Sequence, residues 1–146
     1  MKGRLTVKKY IYCRFIAIVL SIFTVFTFMS CDFGKDGNDE NGIGVYEQIS
    51  QEEAKRLMDT ESDYVIIDAR TQSEYDEGHI EGAILIPEYE ISERAEAELP
   101  DKNQLILVYC RSGRRSKIAA QALADLGYTN VKEFGGIITW EYGIVK

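Results

Sequence analysis

The sequence predicts an α/β fold, with a mostly parallel central sheet and helices on both faces, and two patterns support this prediction. Residues 64–67 and 105–109 are continuous apolar runs, which are typical of strands that are covered on both sides. Segments of this kind alternate along the chain with amphipathic segments of helical period. Because single domains commonly span roughly 100–150 residues, the 146-residue chain has room for one domain and a terminal appendage.

The first half of the domain begins with a short β-prone segment at residues 45–49. Ser50 and Glu53 then have the spacing of a capping box, which predicts a helix over residues 51–58. A strand is predicted at residues 64–67 and another at residues 83–86, where Pro87 ends it because proline cannot donate to a sheet ladder.

In the second half, a modest helix is predicted at residues 91–99 and a strand at residues 105–109. A stronger helix follows at residues 117–126, with Gly127 as its C-cap. A last strand is predicted at residues 131–134, ended by Gly135 and Gly136. The apolar face of the stronger helix is predicted to consist of Ile118, Ala119, Ala122, Leu123 and Leu126.

The N-terminal residues have the three zones of a secretory signal: a basic stretch to Arg14, an apolar run at residues 15–29, and Ser30 before Cys31. The segment Phe28-Met29-Ser30-Cys31 resembles a lipobox, the site of bacterial lipoprotein processing. It predicts a signal peptide at residues 1–30, lipidation of Cys31, an acidic flexible tether at residues 31–44 and a folded domain at residues 45–146.

An uncleaved short anchor helix is the alternative for this segment. Its apolar run is short, since a membrane span needs about 20 apolar residues. Both interpretations place the domain outside the cytoplasm, in the cell envelope, where it is tethered to a membrane.

Charge and cysteine content exclude several classes of function. All 24 acidic residues but only 12 of the 17 basic ones lie after residue 30, so a nucleic-acid partner is not expected. Of Cys13, Cys31 and Cys110, only Cys110 remains as a free thiol if the signal is removed and Cys31 is lipidated. With His79 as the single histidine, no disulfide within the domain, no zinc cluster and no cofactor are expected.

Cys110 lies at the carboxyl end of a predicted parallel strand, where open sheets bind ligands. The next residues lead into a helix N-terminus, so their backbone N–H groups and the helix dipole favour an anion and lower the pKa of the thiol. A lone cysteine is ordinarily a small buried apolar residue without a catalytic role. Here three arginines surround a glycine next to the cysteine, in a domain that is otherwise acidic, and this pattern favours a functional cysteine. The predicted substrate-binding residues are Arg111, Ser112, Gly113, Arg114, Arg115 and Ser116. Arg115 is expected to close the loop by bonding its carbonyls or the bound anion.

The sequence Cys-Arg-Ser-Gly-Arg-Arg-Ser, residues 110–116, resembles the active-site loop of single-domain rhodaneses, the thiosulfate sulfurtransferase family. Upstream, Asp68-Ala69-Arg70 and the segment from Gly78 to Ala83 are similar to a second family motif. Downstream, Gly135-Gly136 and Trp140 are similar to its closing element. The resemblance covers about residues 45–143.

This resemblance implies a rhodanese-like fold and a sulfurtransferase in which Cys110 carries sulfur as a persulfide. The expected partners are small sulfur-containing anions such as thiosulfate, and a thiol acceptor, which can be a protein, or cyanide. Asp68 and Arg70 are expected to form a buried pair under the site. His79 is expected to be structural and Trp140 to anchor the core.

Two other functions stay open. One is a persulfide carrier or binding module without turnover. The other is a phosphatase of the same fold, in which five residues separate the cysteine from the closing arginine. Here four residues lie between Cys110 and Arg115, and the tighter loop favours a sulfur atom over a phosphoryl group.

Overall fold

The computed structural model describes residues 44–146. The predicted signal peptide, the lipidation site Cys31 and nearly all of the predicted tether therefore lie outside the described residues.

The described residues form one parallel five-stranded sheet in the order β1-β5-β4-β2-β3, with helices between successive strands. A 3₁₀ turn at Ile137–Thr139 follows the last strand. The strands are β1 Glu47–Gln48, β2 Tyr64–Asp68, β3 Ala83–Leu85, β4 Leu105–Cys110 and β5 Val131–Gly136. The helices are α1 Gln51–Thr60, α2 Gln72–Glu77, α3 Ile91–Glu98 and α4 Arg114–Asp125.

The central strand β4 is buried on both of its faces, as its apolar run predicts. Since side chains alternate along a strand, its residues divide between two cores. Leu105, Leu107 and Tyr109 pack with α1 residues. The alternate residues, Ile106, Val108 and Cys110, pack with residues of α3 and α4. The predicted α/β fold with helices on both faces is therefore confirmed.

The capping box predicted at the start of α1 forms only in part. The Ser50 hydroxyl accepts a hydrogen bond from the Glu53 backbone N–H at 3.1 Å. The Glu53 carboxylate does not return to Ser50, because it accepts two hydrogen bonds from the Arg56 guanidinium. A complete capping box lies instead at Thr71 and Glu74. It opens α2, a helix missing from the sequence-based assignment.

Helix α4 begins three residues earlier than predicted, at Arg114, because Gly113 turns the chain with a φ of 97°. Its buried stripe is Ser116, Ala119, Ala120, Leu123 and Ala124. Ile118 was wrongly placed on the apolar face; at 47 % relative exposure it lies outside this stripe. The helix ends before Gly127, whose positive φ of 89° lets its N–H and that of Tyr128 reach back to the last turn, as the predicted C-cap requires.

The strand ends differ from the prediction where tertiary contacts decide them. β1 is only two residues long and pairs with Lys132 and Glu133 at the edge of the sheet. β5 continues through Gly135 and Gly136, since a register shift between Val108 and Cys110 lets Gly136 pair with Cys110. The predicted end at Phe134 is therefore wrong.

Within residues 44–146, none of the helices combines the length and the apolar composition that crossing a membrane requires.

Candidate active site

Cys110 is the last residue of β4, and its side chain is 1 % exposed. Three residues, Arg111–Gly113, connect it to α4. The turn folds over the sulfur, so that the Gly113 backbone N–H donates a hydrogen bond to Cys110 Sγ at 3.1 Å. A strand end, a three-residue turn and a helix start thus place one thiol in a cradle of backbone amides, as predicted.

The pKa of the Cys110 thiol is lowered from its ordinary value. Burial is the largest single influence and acts in the opposite direction, because it disfavours the charged thiolate. The Ser116 side chain and the backbone N–H groups of Ser116, Ser112 and Gly113, of which the Gly113 N–H donates directly to Sγ, together outweigh it. The site therefore favours the thiolate more than an ordinary cysteine environment does.

Gly136 gives the turn the space that it needs. A Cβ atom at this position would lie 2.3 Å from the Arg111 carbonyl oxygen and 2.5 Å from Ser112 Cα, which no side chain tolerates. The Arg111 carbonyl also accepts a hydrogen bond from the Ile138 N–H at 3.3 Å. The end of β5 and the 3₁₀ turn therefore support the loop from one side.

In residues 44–146, Arg115 donates to Glu74 and not to the loop carbonyls, which corrects one of its two predicted contacts; the other, with a bound anion, stays a prediction. Its two terminal nitrogens donate to the Glu74 carboxylate at 2.6 and 2.7 Å. Hydrogen bonds from Arg115, with smaller contributions from Thr71, lower the pKa of Glu74 to about 2 against the effect of burial. The charge of Cys110 in turn helps to raise the pKa of Arg115, so the guanidinium lies within the electrostatic reach of the thiol.

Glu133 is a buried carboxylate next to the site, and sequence reasoning missed it. It is 3 % exposed, accepts a hydrogen bond from the Ser116 hydroxyl at 2.6 Å and accepts another from the Gly135 N–H at 2.9 Å. An acidic residue between Val131 and Phe134, in a segment predicted to be a strand, was the available signal. Through Ser116, this carboxylate is linked to the hydrogen bonds around Cys110.

Asp68 and Arg70 form the predicted buried pair, with side chains 0 % and 6 % exposed and an ion-pair distance of 2.6 Å. The Tyr109 hydroxyl donates to Asp68 Oδ2 at 2.6 Å, and Arg70 donates to the Gly78 carbonyl at 2.7 Å. Tyr109 and Cys110 point to opposite faces of β4. The Asp68–Arg70 pair therefore stabilises the ends of β2 and β4 on the face of the sheet opposite Cys110. It does not form the floor of the sulfur site.

The other predicted substrate-binding side chains are divided between the surface and the interior. Arg111, Ser112 and Arg114 are exposed, whereas Ser116 is buried. A cleft of about 650 Å³ opens beside the loop and is bordered by Ser112, Gly113, Arg114 and Lys117 on one side. Its other walls are formed by residues 48–51, 133–135 and Thr139. Cys110 does not border this cleft.

His79 and Trp140 have contacts that agree with structural roles. The His79 ring stacks on Tyr75 with centroids 3.7 Å apart, and its backbone pairs with Val145. Trp140 packs against Phe134 at 5.5 Å between ring centroids. Each is partly buried at the edge of the core.

The fold and the site define a class of α/β proteins in which a parallel sheet presents one activated thiol in a short loop before a helix. A family model described as the rhodanese-like domain matches residues 50–141, more than half of the chain. The chain belongs to the rhodanese-like family.

Three comparisons show how close the family relationship is. Thiosulfate sulfurtransferase PspE of Escherichia coli is 44% identical over 71 residues, which are 49% of this chain and 68% of that protein. The putative sulfur carrier protein YrkF of Bacillus subtilis is 37% identical over 98 residues, which are 67% of this chain and 51% of that protein. A solved structure of a rhodanese with anions from E. coli has a TM-score of 0.54 and 40% identity, covering 57% of this chain and 98% of that one.

Proposed function

We propose that this protein is a rhodanese-type sulfurtransferase that takes a sulfane sulfur onto Cys110 and passes it to a thiol or to cyanide. The observation that supports this most directly is the buried Cys110 thiol, whose pKa is lowered by hydrogen bonds from backbone amides and Ser116. The similarity to a relative named thiosulfate sulfurtransferase supports thiosulfate as a donor.

In the first half of the reaction, the Cys110 thiolate attacks the outer sulfur of thiosulfate. A new S–S bond forms, the S–S bond of thiosulfate breaks, and sulfite leaves with its electron pair. The N–H groups that face Cys110 Sγ are placed to stabilise the resulting persulfide anion. In the second half, cyanide or an acceptor thiolate attacks the outer sulfur, and Cys110 leaves as the thiolate.

Three arginines in and beside the loop assist sulfur transfer through their positive charge. Arg115 is held near the thiol by Glu74 and contributes a fixed positive field, while Arg111 and Arg114 attract the donor anion from solvent. No cofactor takes part in either half of this proposal. All of the covalent chemistry is assigned to Cys110.

Changing Cys110 to Ser tests the assignment, because a hydroxyl group cannot form a persulfide. We expect the wild-type chain, after incubation with thiosulfate, to gain the mass of one sulfur atom on the peptide that contains Cys110. Cys110→Ser should abolish both this gain and the formation of thiocyanate from cyanide. Cys13→Ser is the matched control and should keep both. Transfer that persists in Cys110→Ser would falsify the mechanism.

A persulfide carrier without turnover is the second candidate, because one of the similar proteins is named as a putative sulfur carrier. Both candidates load Cys110, so the number of turnovers separates them. An enzyme continues to form thiocyanate when thiosulfate and cyanide are in excess over protein. A carrier releases one sulfur per chain and then stops until a protein donor reloads it.

We also propose that the protein is a lipoprotein of the cell envelope, anchored through Cys31 outside the cytoplasm. The charge step near residue 30, the apolar run at residues 15–29 and the Ser30-Cys31 pair support this proposal.

A further inference from the structure

The positive charges of the described domain are paired almost everywhere except beside the active-site loop. Residues 44–146 contain eleven lysines and arginines and twenty acidic residues. Seven of the eleven cations form ion pairs: Lys55, Arg56, Arg70, Arg94, Lys102, Arg115 and Lys132. The four that form none within this range are Arg111, Arg114, Lys117 and the terminal Lys146. Three of these four therefore lie within seven residues, in and just after the loop.

Two of the three face a different space from the sulfur. Arg114 and Lys117 border the cleft of about 650 Å³ beside the loop, whereas Cys110 does not border it. Both side chains are exposed. A donor as small as thiosulfate, bound at Cys110 Sγ, would not fill this cleft, so its cations are available to another part of a larger substrate.

The base and the rim of the cleft differ in charge. Glu133, which is 3 % exposed, borders the cleft from within the protein. A small free anion that settled at the base would meet this carboxylate. Carboxylates held by a polypeptide at the rim would instead meet Arg114 and Lys117 and stay away from Glu133.

Two exposed apolar residues are next in sequence to residues that line the cleft. Ile118 follows Lys117 in α4 and is 47 % exposed, and Ile138 precedes the cleft residue Thr139 and is 65 % exposed. Apolar groups beside unpaired cations are typical of surfaces that bind protein segments. Because residues 44–146 carry twenty acidic and eleven basic side chains, an acidic partner is repelled by the net charge of the domain and attracted locally by these cations.

From these observations we propose that the cleft bordered by Arg114 and Lys117 is the docking site for an acidic polypeptide segment whose cysteine accepts sulfur from Cys110. This inference rests on the proposed sulfurtransferase function. The acceptor thiolate attacks the outer sulfur of the Cys110 persulfide, the S–S bond to Cys110 breaks, Cys110 leaves as the thiolate, and the acceptor leaves as a persulfide. Gly113 lines the cleft and also donates its N–H to Cys110 Sγ at 3.1 Å, so a segment docked there lies against the residue that contacts the buried sulfur.

The test uses the full chain, loaded with thiosulfate, and three synthetic peptides that contain one cysteine flanked by aspartates, serines or lysines. At low ionic strength we expect transfer to the acidic peptide to be roughly tenfold faster than to the serine peptide, and transfer to the lysine peptide to be the slowest. The preference should largely disappear at 1 M salt, where the Debye length is about 3 Å.

Lys117→Gln should reduce the preference for the acidic peptide to roughly threefold, since it removes one of the two cations at the rim. Lys146→Gln removes a cation that forms no ion pair within residues 44–146 and does not border the cleft, and it should leave the preference unchanged. Equal losses in the two variants would overturn the docking site, because they would indicate a general charge effect.

Cyanide distinguishes the failure of this inference from the failure of the proposed function. If the loaded chain forms thiocyanate but transfers sulfur equally fast to all three peptides, the docking site is wrong and the sulfurtransferase stands. If thiosulfate puts no sulfur on Cys110, both are wrong.

Discussion

A thiol that is almost completely buried ordinarily keeps its proton, and at Cys110 a small set of hydrogen-bond donors reverses this tendency. Three of the donors are backbone N–H groups, which the fold of the loop supplies whatever the side chains are. Ser116 also lowers the pKa of the thiol through its side chain, although its single hydroxyl proton is donated to the buried Glu133 in this structure. Ser116 is therefore the residue at which a side-chain change can alter the thiol while the loop keeps its course.

We predict that Ser116→Ala raises the pKa of Cys110 and slows its alkylation by iodoacetamide severalfold at neutral pH, because the hydroxyl group that favours the thiolate is removed. The pH dependence of the alkylation rate measures this effect. The rate should recover at higher pH, where the thiol ionises without help.

Ser112→Ala is the matched control. Ser112 acts on the thiol through its backbone N–H, and alanine keeps that group. Identical pH profiles for wild type and Ser116→Ala would show that the hydroxyl does not stabilise the thiolate.

Single residues were predictable from the sequence where their chemistry is local. Cys110 follows an apolar run and precedes arginines, so both its strand end and its loop are visible in the sequence. Glu133 was not found, because its role depends on Ser116, a residue brought to it by the packing of α4 against β5. The partner of Arg115 was missed for the same reason, since Glu74 lies 41 residues away along the chain.

Among the secondary-structure elements, α2 has the most direct effect on the site. Its capping box uses Glu74. The same carboxylate accepts hydrogen bonds from both terminal nitrogens of Arg115, which lies in the first turn of α4. One side chain thus fixes the start of α2 and the position of the arginine near the thiol. The pair is mostly shielded from solvent, with side chains 17 % and 24 % exposed.

We predict that Glu74→Gln lowers the free energy of unfolding by about 2 kcal/mol at neutral pH, since it removes charged hydrogen bonds to Arg115. Because the pKa of Glu74 is lowered in the folded state, its stabilisation is complete above its ordinary value of 4.5 and is lost as the pH falls towards about 2. Denaturant unfolding of both chains at several pH values measures the difference, which should shrink across that interval.

Glu77→Gln, at the last residue of α2, is the control and should change stability little, because no hydrogen bond or ion pair holds its side chain in the described structure. A stability difference between wild type and Glu74→Gln that stayed constant down to pH 2 would contradict the assigned pKa.

Sulfur transfer should also fall in Glu74→Gln, and it should fall further in Arg115→Ala, where the positive charge near the thiol is removed. Arg114→Ala should impair transfer from thiosulfate to cyanide less than Arg115→Ala does.

The short loop between β4 and α4 limits the size of the group that can bind at Cys110. Only Arg111–Gly113 separate β4 from α4, and Gly136 packs against their backbone with no room for a side chain. The cradle fits one sulfur atom more closely than a phosphoryl group with its three oxygens. We expect no measurable hydrolysis of aryl phosphates under conditions in which sulfur transfer proceeds, and comparable rates would show that the loop admits phosphate.

The types of the long buried elements were predictable from composition, and their ends were less so. The runs in β2 and β4 are apolar on both faces, which predicts parallel strands directly. The start of α4 depends on the positive φ of Gly113, and the end of β5 depends on a bulge opposite Cys110. Helix α2 has no buried residue to create an apolar period. The spacing of Thr71 and Glu74 was the only signal for it, and it was missed.

At the scale of the whole molecule, charge is divided between an acidic domain and a basic N-terminus. All five basic residues of the first 30 precede the apolar run, and no acidic residue occurs among them. This division is typical of an exported chain whose leader inserts with its basic end in the cytoplasm. It would place a sulfurtransferase site, with its single domain thiol, on the outer side of the membrane.

We predict that Cys31→Ala blocks both lipidation and lipoprotein-type cleavage, because the thiol of Cys31 is the proposed site of diacylglycerol attachment. One acyl chain binds membranes only reversibly, whereas a diacylglyceryl cysteine has enough methylene groups for stable retention. Labelling cells with a fatty-acid analogue should mark the wild-type chain and the Cys13→Ala control but not Cys31→Ala. If the wild-type chain takes up no label and keeps residues 1–30, the uncleaved anchor helix is the correct interpretation and Cys13 remains as a second thiol. If the label depends on Cys31, the mature protein begins at the lipid and reaches its domain through the acidic tether, with Cys110 as its only free thiol.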